Sequence, residues 1–399
     1  MKIAFVTPRY GEEVMGGAEG AARSLAEHLV ADLGHEVEIY TTCAIDHLTW
    51  ADVLSPGVSQ LHGVTVRRFT SAAGRDPKFS DLDARIRVAP SSRSIEDSVA
   101  WVAANGPVSE SLVEALGDCD ADVVAFYPYL FYMSVHGITR VRQPAVLHPA
   151  AHDEPSLYLP IFQRVFDSAD AICFHTEAER SLVEPVLHTA ATDQIVLGLG
   201  TGQASGSGRD GAAILGIAGR PYLVSVGRVD EQKGSTMLYE YFVEYKKRHP
   251  GPLALALVGP VSRPLPEHPD VVAAGIVNEA DKWDIVAGAE VAISPSAMES
   301  FSLVVLEAWV ARRAVMVNAV CGPTMEHIKA SGGGLSFEGY LSFEVTLERL
   351  LGDAALREHM GEQGARYVAS RYDWPVLIRR YEAFLESVVA RGRRSEVKR

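Results

Sequence analysis

The stretch YLVSVGRVDEQKGSTMLYEYFVEYKKR, Tyr222 to Arg248, contains one complete structural repeat. Tyr222–Val226 is a short apolar run of buried-strand length. Gly227 to Gly234 is polar, opens and closes on glycine, and breaks the run. Ser235–Arg248 then reads as a helix. Strand, loop and helix in that order form the unit from which parallel sheets are built. Working outward, the same alternation continues with strand Leu253–Val258, helix Glu279–Ala287, strand Val291–Pro295, helix Leu303–Arg312 and strand Ala314–Asn318. Upstream it recurs as strand Lys2–Thr7, helix Gly17–Leu33, and strands Glu36–Thr41, Val64–Phe69, Asp122–Phe126, Ala145–His148 and Ala171–Phe174. The prediction is an α/β protein made of two Rossmann-like, doubly wound parallel-sheet domains.

Between the two series lies GLGTGQASGSGRDG, Gly198 to Gly211, too rich in Gly and Ser to build a core. The predicted division is a first domain over 1–199, a linker over 200–211 and a second domain over 212–375. Ligands of doubly wound sheets sit beyond the carboxyl ends of the strands, so two such domains predict a site in a cleft between them.

Composition narrows the function classes. With 47% hydrophobic and 22% charged residues in 399, the chain has the make-up of a soluble globular protein rather than a disordered or fibrous one. The net charge of −14 is concentrated in residues 1–200, which carry 14 basic and 27 acidic side chains. An acidic half of this kind repels phosphate backbones and anionic lipid, which argues against a nucleic-acid partner and against electrostatic membrane docking. Cys43, Cys119, Cys173 and Cys321 are widely spaced and form no CxxC pattern, as in a reduced, cytoplasmic compartment. The start MKIAFVTPRY lacks the apolar run of a signal peptide, and the longest apolar run falls far short of the ~20 residues of a membrane span.

Several segments could carry chemistry. Gly198–Gly202 lacks the spacing of a dinucleotide fingerprint. The pairs Asp81–Asp83, Asp118–Asp120 and Asp120–Asp122 could hold a divalent metal but read better as solvated surface, the first in a polar loop. Gly16 and Gly17 follow the first strand and open a helix, a place where backbone can approach an anion, although a simple chain reversal needs the same residues. Arg228 and Lys233 follow the first strand of the second half, where two fixed cations suit a diphosphate. Glu307 interrupts an apolar helical run and so needs a partner, either a ribose diol or a buried cation. Glu299 lies just before that helix. His152 stands beyond a first-half strand, where it could donate to a substrate hydroxyl with Asp153 orienting it.

Taken together, Gly16-Gly17, Gly227-Arg228 with Lys233-Gly234, Gly275-Ile276-Val277, Pro295-Ser296 and Glu299-x7-Glu307-Ala308 resemble the retaining glycosyltransferases of family 4, of the GT-B fold. The motifs occur in that family's order over most of the chain. The resemblance implies a retaining, metal-independent transfer of a hexose-type sugar from a UDP- or GDP-linked donor to an acceptor hydroxyl, with no cofactor. The acceptor would be a glycan, a lipid-linked sugar or a small molecule. By the same resemblance, Arg228 and Lys233 bind the donor diphosphate, Glu307 the ribose, and Glu299 the donor sugar. Amides around Phe301, Ser302 and Leu303 face sugar and phosphate. Ile276 and Val277 frame the base, Gly16 and Gly17 close over the diphosphate, and His152 meets the sugar. The last helix, 376–399, is expected to return to the first domain. The sequence departs from the family at Ser300 and Ser302, where glycine is usual, and at Gly198-Leu199-Gly200 in place of Asn-Gly. The polar stretch Asp76–Arg93 has no family counterpart. Two other readings stand beside this one: a sugar-nucleotide epimerase on the same plan, and a non-catalytic nucleotide-sugar binding protein.

Overall fold

The computed structural model describes residues 1–14, 16–262 and 265–397, with side chains described as far as 392. The chain divides into two compact units, Met1–Gly200 with Trp374–Arg399, and Thr201–Asp373.

The first unit contains strands β1 (Lys2–Val6), β2 (Glu36–Thr42), β3 (Gly57–Leu61), β4 (Val64–Phe69), β5 (Val123–Phe126), β6 (Ala145–Leu147), β7 (Ala171–Phe174) and β8 (Asp193–Val196). They form one sheet in the order β3-β4-β2-β1-β5-β6-β7-β8, parallel except for β3, which runs antiparallel to β4 at the edge. Its helices are α1 (Gly17–Ala31), α2 (Phe79–Ile86), α3 (Ile95–Asn105), α4 (Glu110–Ala115), α5 (Tyr132–Gly137), α6 (Pro160–Asp167) and α7 (Glu177–Leu187). Strands β5, β6 and β7 are short, wholly apolar and buried along their whole length, as strands of a parallel sheet covered on both faces are. Ala21, Ala22, Leu25, Ala26 and Leu29 of α1 supply the buried stripe that holds this helix to the sheet. Asp81 and Asp83 lie on α2 rather than in a loop. Asp83 accepts from Trp101 Nε1 at 3.1 Å and from Arg87 at 2.7 Å, so it serves as an anchor of the fold.

The second unit contains α8 (Gly211–Ile214), β9 (Tyr222–Val226), α9 (Ser235–Arg248), β10 (Ala254–Val258), β11 (Val271–Gly275), α10 (Glu279–Gly288), β12 (Val291–Ser294), α11 (Leu303–Val310), β13 (Val315–Asn318), α12 (Gly322–Ser331), β14 (Gly334–Phe337), α13 (Tyr340–Gly352) and α14 (Ala354–Arg371). Its six strands are parallel in the order β11-β10-β9-β12-β13-β14. The strand order therefore reverses between β9 and β12, and the loops leaving those two strands diverge to opposite faces. A crevice opens at such a switch point. In the first unit the corresponding reversal lies between β1 and β5.

The segment expected to link two domains is tied down within the second unit. The Asp284 carboxylate accepts from Ser207 N at 3.1 Å, Ser207 Oγ at 2.6 Å, Gly208 N at 2.9 Å and Arg209 N at 3.2 Å. A run poor in apolar side chains is fixed here by three backbone donors and one hydroxyl wrapping one carboxylate. The last helix, α15 (Trp374–Val397), begins two residues before the expected 376, and residues 398–399 of that expectation lie outside the described residues. It packs in the first unit, with Leu377, Ile378, Tyr381 and Leu385 fully buried. No helix among the described residues is long and apolar enough to cross a membrane.

Candidate functional site

Of the residues expected in the second unit, those on the loops after β9 and β12 meet at its switch point. The loop after β9 runs from Gly227 to Gly234 and delivers α9; the loop after β12 runs from Pro295 to Ser302 and delivers α11. The two loops touch through glycine. Gly234 has φ +74°, and a Cβ there would lie 2.6 Å from the Pro295 carbonyl oxygen. Gly259 beyond β10 has φ +140°, and a Cβ there would lie 2.1 Å from the Gly227 carbonyl oxygen. Neither position accepts a larger residue without moving the backbone.

The chain brings Lys233 and Glu299 together, Nζ to Oε1, at 2.7 Å. They come from opposite sides of the switch point, and Lys233 remains about a third exposed. Arg228 sits 3.3 Å from Asp230, whose other carboxylate oxygen accepts the Lys233 backbone N–H at 2.8 Å. Asp230 thus positions both cations. Sequence reasoning missed it, although an Asp three residues before the lysine is the signature of a side-chain-to-backbone turn.

Glu307 pairs with Lys282 of α10 at 3.0 Å, and Lys282 also reaches Glu279 at 2.8 Å. Of the two partners the sequence left open for Glu307, the structure supplies the buried cation. Burial pushes the Glu307 carboxyl up despite Lys282. Burial works against the Lys282 ammonium as well, yet Glu307 and Glu279 outweigh it and hold its pKa above the usual lysine range. No spacing in the sequence links positions 282 and 307.

Ser302 caps α11 in the left-handed region, at φ +73°, and its buried hydroxyl has no hydrogen-bond partner among the described residues. This conformation is the reason glycine suits the position, and serine is strained there. Phe301 is buried, and its carbonyl oxygen lies 3.0 Å from His327 Nε2. A carbonyl can only accept, so Nε2 carries the proton and Nδ1 accepts from the Tyr367 hydroxyl at 3.0 Å. The Tyr372 hydroxyl, 3.1 Å away, then donates to Tyr367. Burial lowers the His327 pKa to about 4, which keeps the ring neutral in this chain of bonds. Leu303 is half-buried at the start of α11. Ile276 is largely exposed and Val277 half-buried, both just beyond β11 at the sheet edge.

The first-unit residues lie on other loops. Gly16 is extended, and a Cβ there would meet Glu19 Oε2 at 2.3 Å and Arg9 Nη2 at 3.0 Å. Arg9 and Glu19 form a buried pair, with Arg9 Nε donating to Glu19 Oε1 at 2.9 Å, and the Gly16 turn is moulded around it. Gly17 has open space at its Cα, and Met15 lies outside the described residues. His152 is half-buried beyond β6, after Ala150 at φ +51°. The Asp153 carboxylate accepts from the Tyr158 hydroxyl at 2.7 Å. The loop is also held by Glu179, fully buried, whose Oε1 accepts from Ala151 N at 2.7 Å and whose Oε2 accepts from His175 N at 2.6 Å. Burial pushes the Glu179 carboxyl up to about 8, against those backbone donors. His148 and His175 flank Tyr127, and burial lowers both to about 3.

Comparison with known proteins places this geometry. Residues 220–353 match the family model of the glycosyl transferases group 1. D-inositol 3-phosphate glycosyltransferase of Kineococcus radiotolerans is 27% identical over 60% of this chain and 62% of its own length, so the match spans less than two thirds of that relative. Sucrose-phosphate synthase from Thermosynechococcus elongatus superposes with a TM-score of 0.72 at 18% identity, over 98% of this chain and 99% of that one. The trehalose-6-phosphate structure from E. coli, bound with UDP-2-fluoro glucose, gives 0.69 at 12% identity, over 98% and 99%. Residues 220–353 are thus similar to the glycosyl transferases group 1, and the chain as a whole has the GT-B fold.

Proposed function

We propose that the protein is a retaining glycosyltransferase that moves a hexose-type sugar from a UDP- or GDP-linked donor to an acceptor hydroxyl without a metal. The observation that carries this reading is the meeting of Lys233 and Glu299 at the β9/β12 switch point, beside Arg228. A nucleoside diphosphate leaving group gains negative charge as its bond to the sugar breaks. Fixed cations and the start of α11 stabilise that charge, and removing one such donor costs about 3–4 kcal/mol of barrier. In this reading Lys233 shifts from Glu299 to the diphosphate when donor binds. Glu299 is then released to accept from the sugar hydroxyls, and Arg228 shares its charge between Asp230 and phosphate. Glu307 takes the ribose hydroxyls while keeping Lys282, and the Phe301 to Leu303 backbone, braced by His327, lies along sugar and phosphate.

The test is a thermal-shift panel of UDP, GDP and ADP and their hexose conjugates, with and without EDTA. A nucleotide present at a hundred times its Kd adds about 2.7 kcal/mol of stability. We expect UDP or GDP to stabilise the wild type, EDTA to leave that shift intact, and Lys233→Ala to abolish most of it. Activity lost in EDTA and regained with Mg²⁺ overturns the metal-independent reading. Product formed from donor sugar alone, with no acceptor, favours an epimerase instead.

A further inference from the structure

Lys282 has no task in the transfer as proposed, yet the second unit builds it into the same site. Its Nζ reaches from α10 to Glu307 Oε1 on α11 at 3.0 Å, and the two side chains are only 15% and 22% exposed. The rest of α11, Leu303–Val310, is apolar, so no cation on its own helix serves the carboxylate. Lys282 is anchored in turn. Its backbone N–H donates to the Asn278 carbonyl at 2.9 Å, and Asn278 caps α10 by accepting from Asp281 N at 2.9 Å. Its ammonium lies 5.4 Å from the centre of the buried Trp283 ring. It also reaches Glu279 Oε2 at 2.8 Å, but that carboxylate is 74% exposed, and a pair so solvated contributes little.

Two charged groups face Glu307 among the described residues, both from α10, and they act in opposite directions. Burial pushes its carboxyl toward the neutral form, Glu279 adds to that push, and Lys282 opposes it. The protonation state matters for a diol. A ribose offers two O–H donors, and an ionised carboxylate accepts both, whereas a neutral carboxyl carries a hydrogen of its own and loses acceptor capacity.

We propose that Lys282 is a positioning residue for the donor nucleotide: it holds Glu307 as a charged, oriented acceptor and so gives the site its preference for ribose over 2′-deoxyribose. This rests on the reading of Glu307 as the ribose carboxylate. Lys282 acts through Glu307 and does not itself meet the ribose. The same contacts fix the direction of the pH dependence. Without Lys282 nothing offsets burial, so Glu307 takes its proton at a higher pH than in the wild type, and the preference is lost below that pH. Without Glu279 one acid fewer pushes the carboxyl up, so Glu307 stays ionised to a lower pH.

The experiment measures Kd by calorimetry for UDP, GDP and their 2′-deoxy counterparts on the full chain, from about pH 5.5 to 8.5, for wild type, Lys282→Met and Glu279→Gln. The readout is the ratio of the deoxy to the ribo Kd, because titration of the phosphates and any general loss of stability act on both nucleotides alike. For the base that binds, we expect the wild type to prefer the ribo form about ten-fold at neutral pH, the worth of one hydrogen bond to a charged group. Lys282→Met should remove most of that preference, and the remainder should fall off at a higher pH than in the wild type. Glu279→Gln should keep the preference and hold it to a lower pH. Glu279 is exposed, so its variant folds even if Lys282→Met does not, and its pH profile then carries the test. A wild-type ratio near one, a ratio unchanged in Lys282→Met while both affinities fall together or stay as they were, or a Glu279→Gln profile that stays in place or moves to higher pH overturns the proposal. Each of these leaves nucleotide binding, and the transferase reading with it, in place. If no nucleotide binds the wild type, the transferase reading falls and the proposal falls with it.

Discussion

At the scale of single residues, the sequence marked the charged groups but not their partners. Lys233 and Glu299 stand out because they follow strands of one parallel series. Lys282 does not, since it sits on an ordinary amphipathic helix and meets Glu307 only through the packing of α10 and α11. Breaking a buried ion pair costs about 3–5 kcal/mol, but both side chains here keep some solvent and Lys282 retains Glu279. Glu307→Gln is therefore expected to cost about 1–2 kcal/mol in urea melts, and Glu307→Gln with Lys282→Met less than the sum of the two single changes. Strict additivity in that cycle would mean the pair has no energetic coupling. His327 gives a second prediction. Its pKa in the fold, about 4, lies below the unfolded value near 6.5, so the unfolded chain binds more protons between those limits. Its contribution is complete above pH 6.5 and is lost as pH falls toward 4, by up to about 1.4 kcal/mol per pH unit. Gln at 327 can donate to Phe301 and accept from Tyr367 without titrating. His327→Gln should show a smaller loss of urea midpoint between pH 7 and 4.5 than wild type, and an equal loss would show that the ring does not set this slope.

At the scale of elements, the buried strands were legible and the exposed ones were not. β9, and α9 after it, were readable to the residue because an apolar run gives way to a glycine-bounded loop and then to a helical stripe. β3 has almost no buried residue, β11 lies at an edge, and neither shows the apolar pattern that marks a covered strand. Helices α12 to α14 were equally hidden, because α14 faces α11 with glycine rather than with a stripe of large residues. A Cβ on Gly364 would lie 2.1 Å from Trp309 Cδ1, and one on Gly361 would lie 2.2 Å from the Arg312 carbonyl. Trp309 is fixed in turn by its bond to the Gly333 carbonyl at 2.8 Å. Helix propensity favours Ala over Gly by up to about 1 kcal/mol, whereas overpacking a close contact costs about 1–3 kcal/mol. Gly364→Ala should therefore lower stability by about 1–2 kcal/mol. Gly352→Ala, at the end of α13 with open space around it, should be neutral or slightly stabilising. Equal melting temperatures for the two variants would show that the α11–α14 contact yields freely.

At the scale of the whole molecule, the sequence showed two series of strands and carried the expectation that the last helix returns to the first domain; in the structure the first unit is discontinuous. The chain leaves the first unit at Gly200 and re-enters it at Trp374. Thr201 and Asp373 form a parallel bridge at this crossing, and Thr201 N donates to the Tyr372 carbonyl at 2.9 Å. The second unit is thus one contiguous segment whose ends are tied together, while the first unit depends on α15 arriving from the far end of the chain. α15 is bound to the first unit by specific contacts. Trp374 stacks on His28 at 3.9 Å and lies where any side chain at Gly200 would have to go. The Tyr381 hydroxyl bonds His148 Nε2 at 2.8 Å, and Leu377, Ile378 and Leu385 are buried beside it. Each such buried side chain contributes about 1.5–3 kcal/mol, which together is comparable with the whole stability of a domain. A chain stopped after Asp373 should therefore lose the cooperative unfolding of its first unit and expose that unit's apolar face. The second unit should keep its own transition and survive limited proteolysis as a fragment close to residues 201–373. Tyr381→Phe, which removes only the bond to His148, should lower the first transition by about 1 kcal/mol and leave the second untouched. If calorimetry of the shortened chain shows both transitions intact, α15 is an ornament on the first unit rather than part of its core.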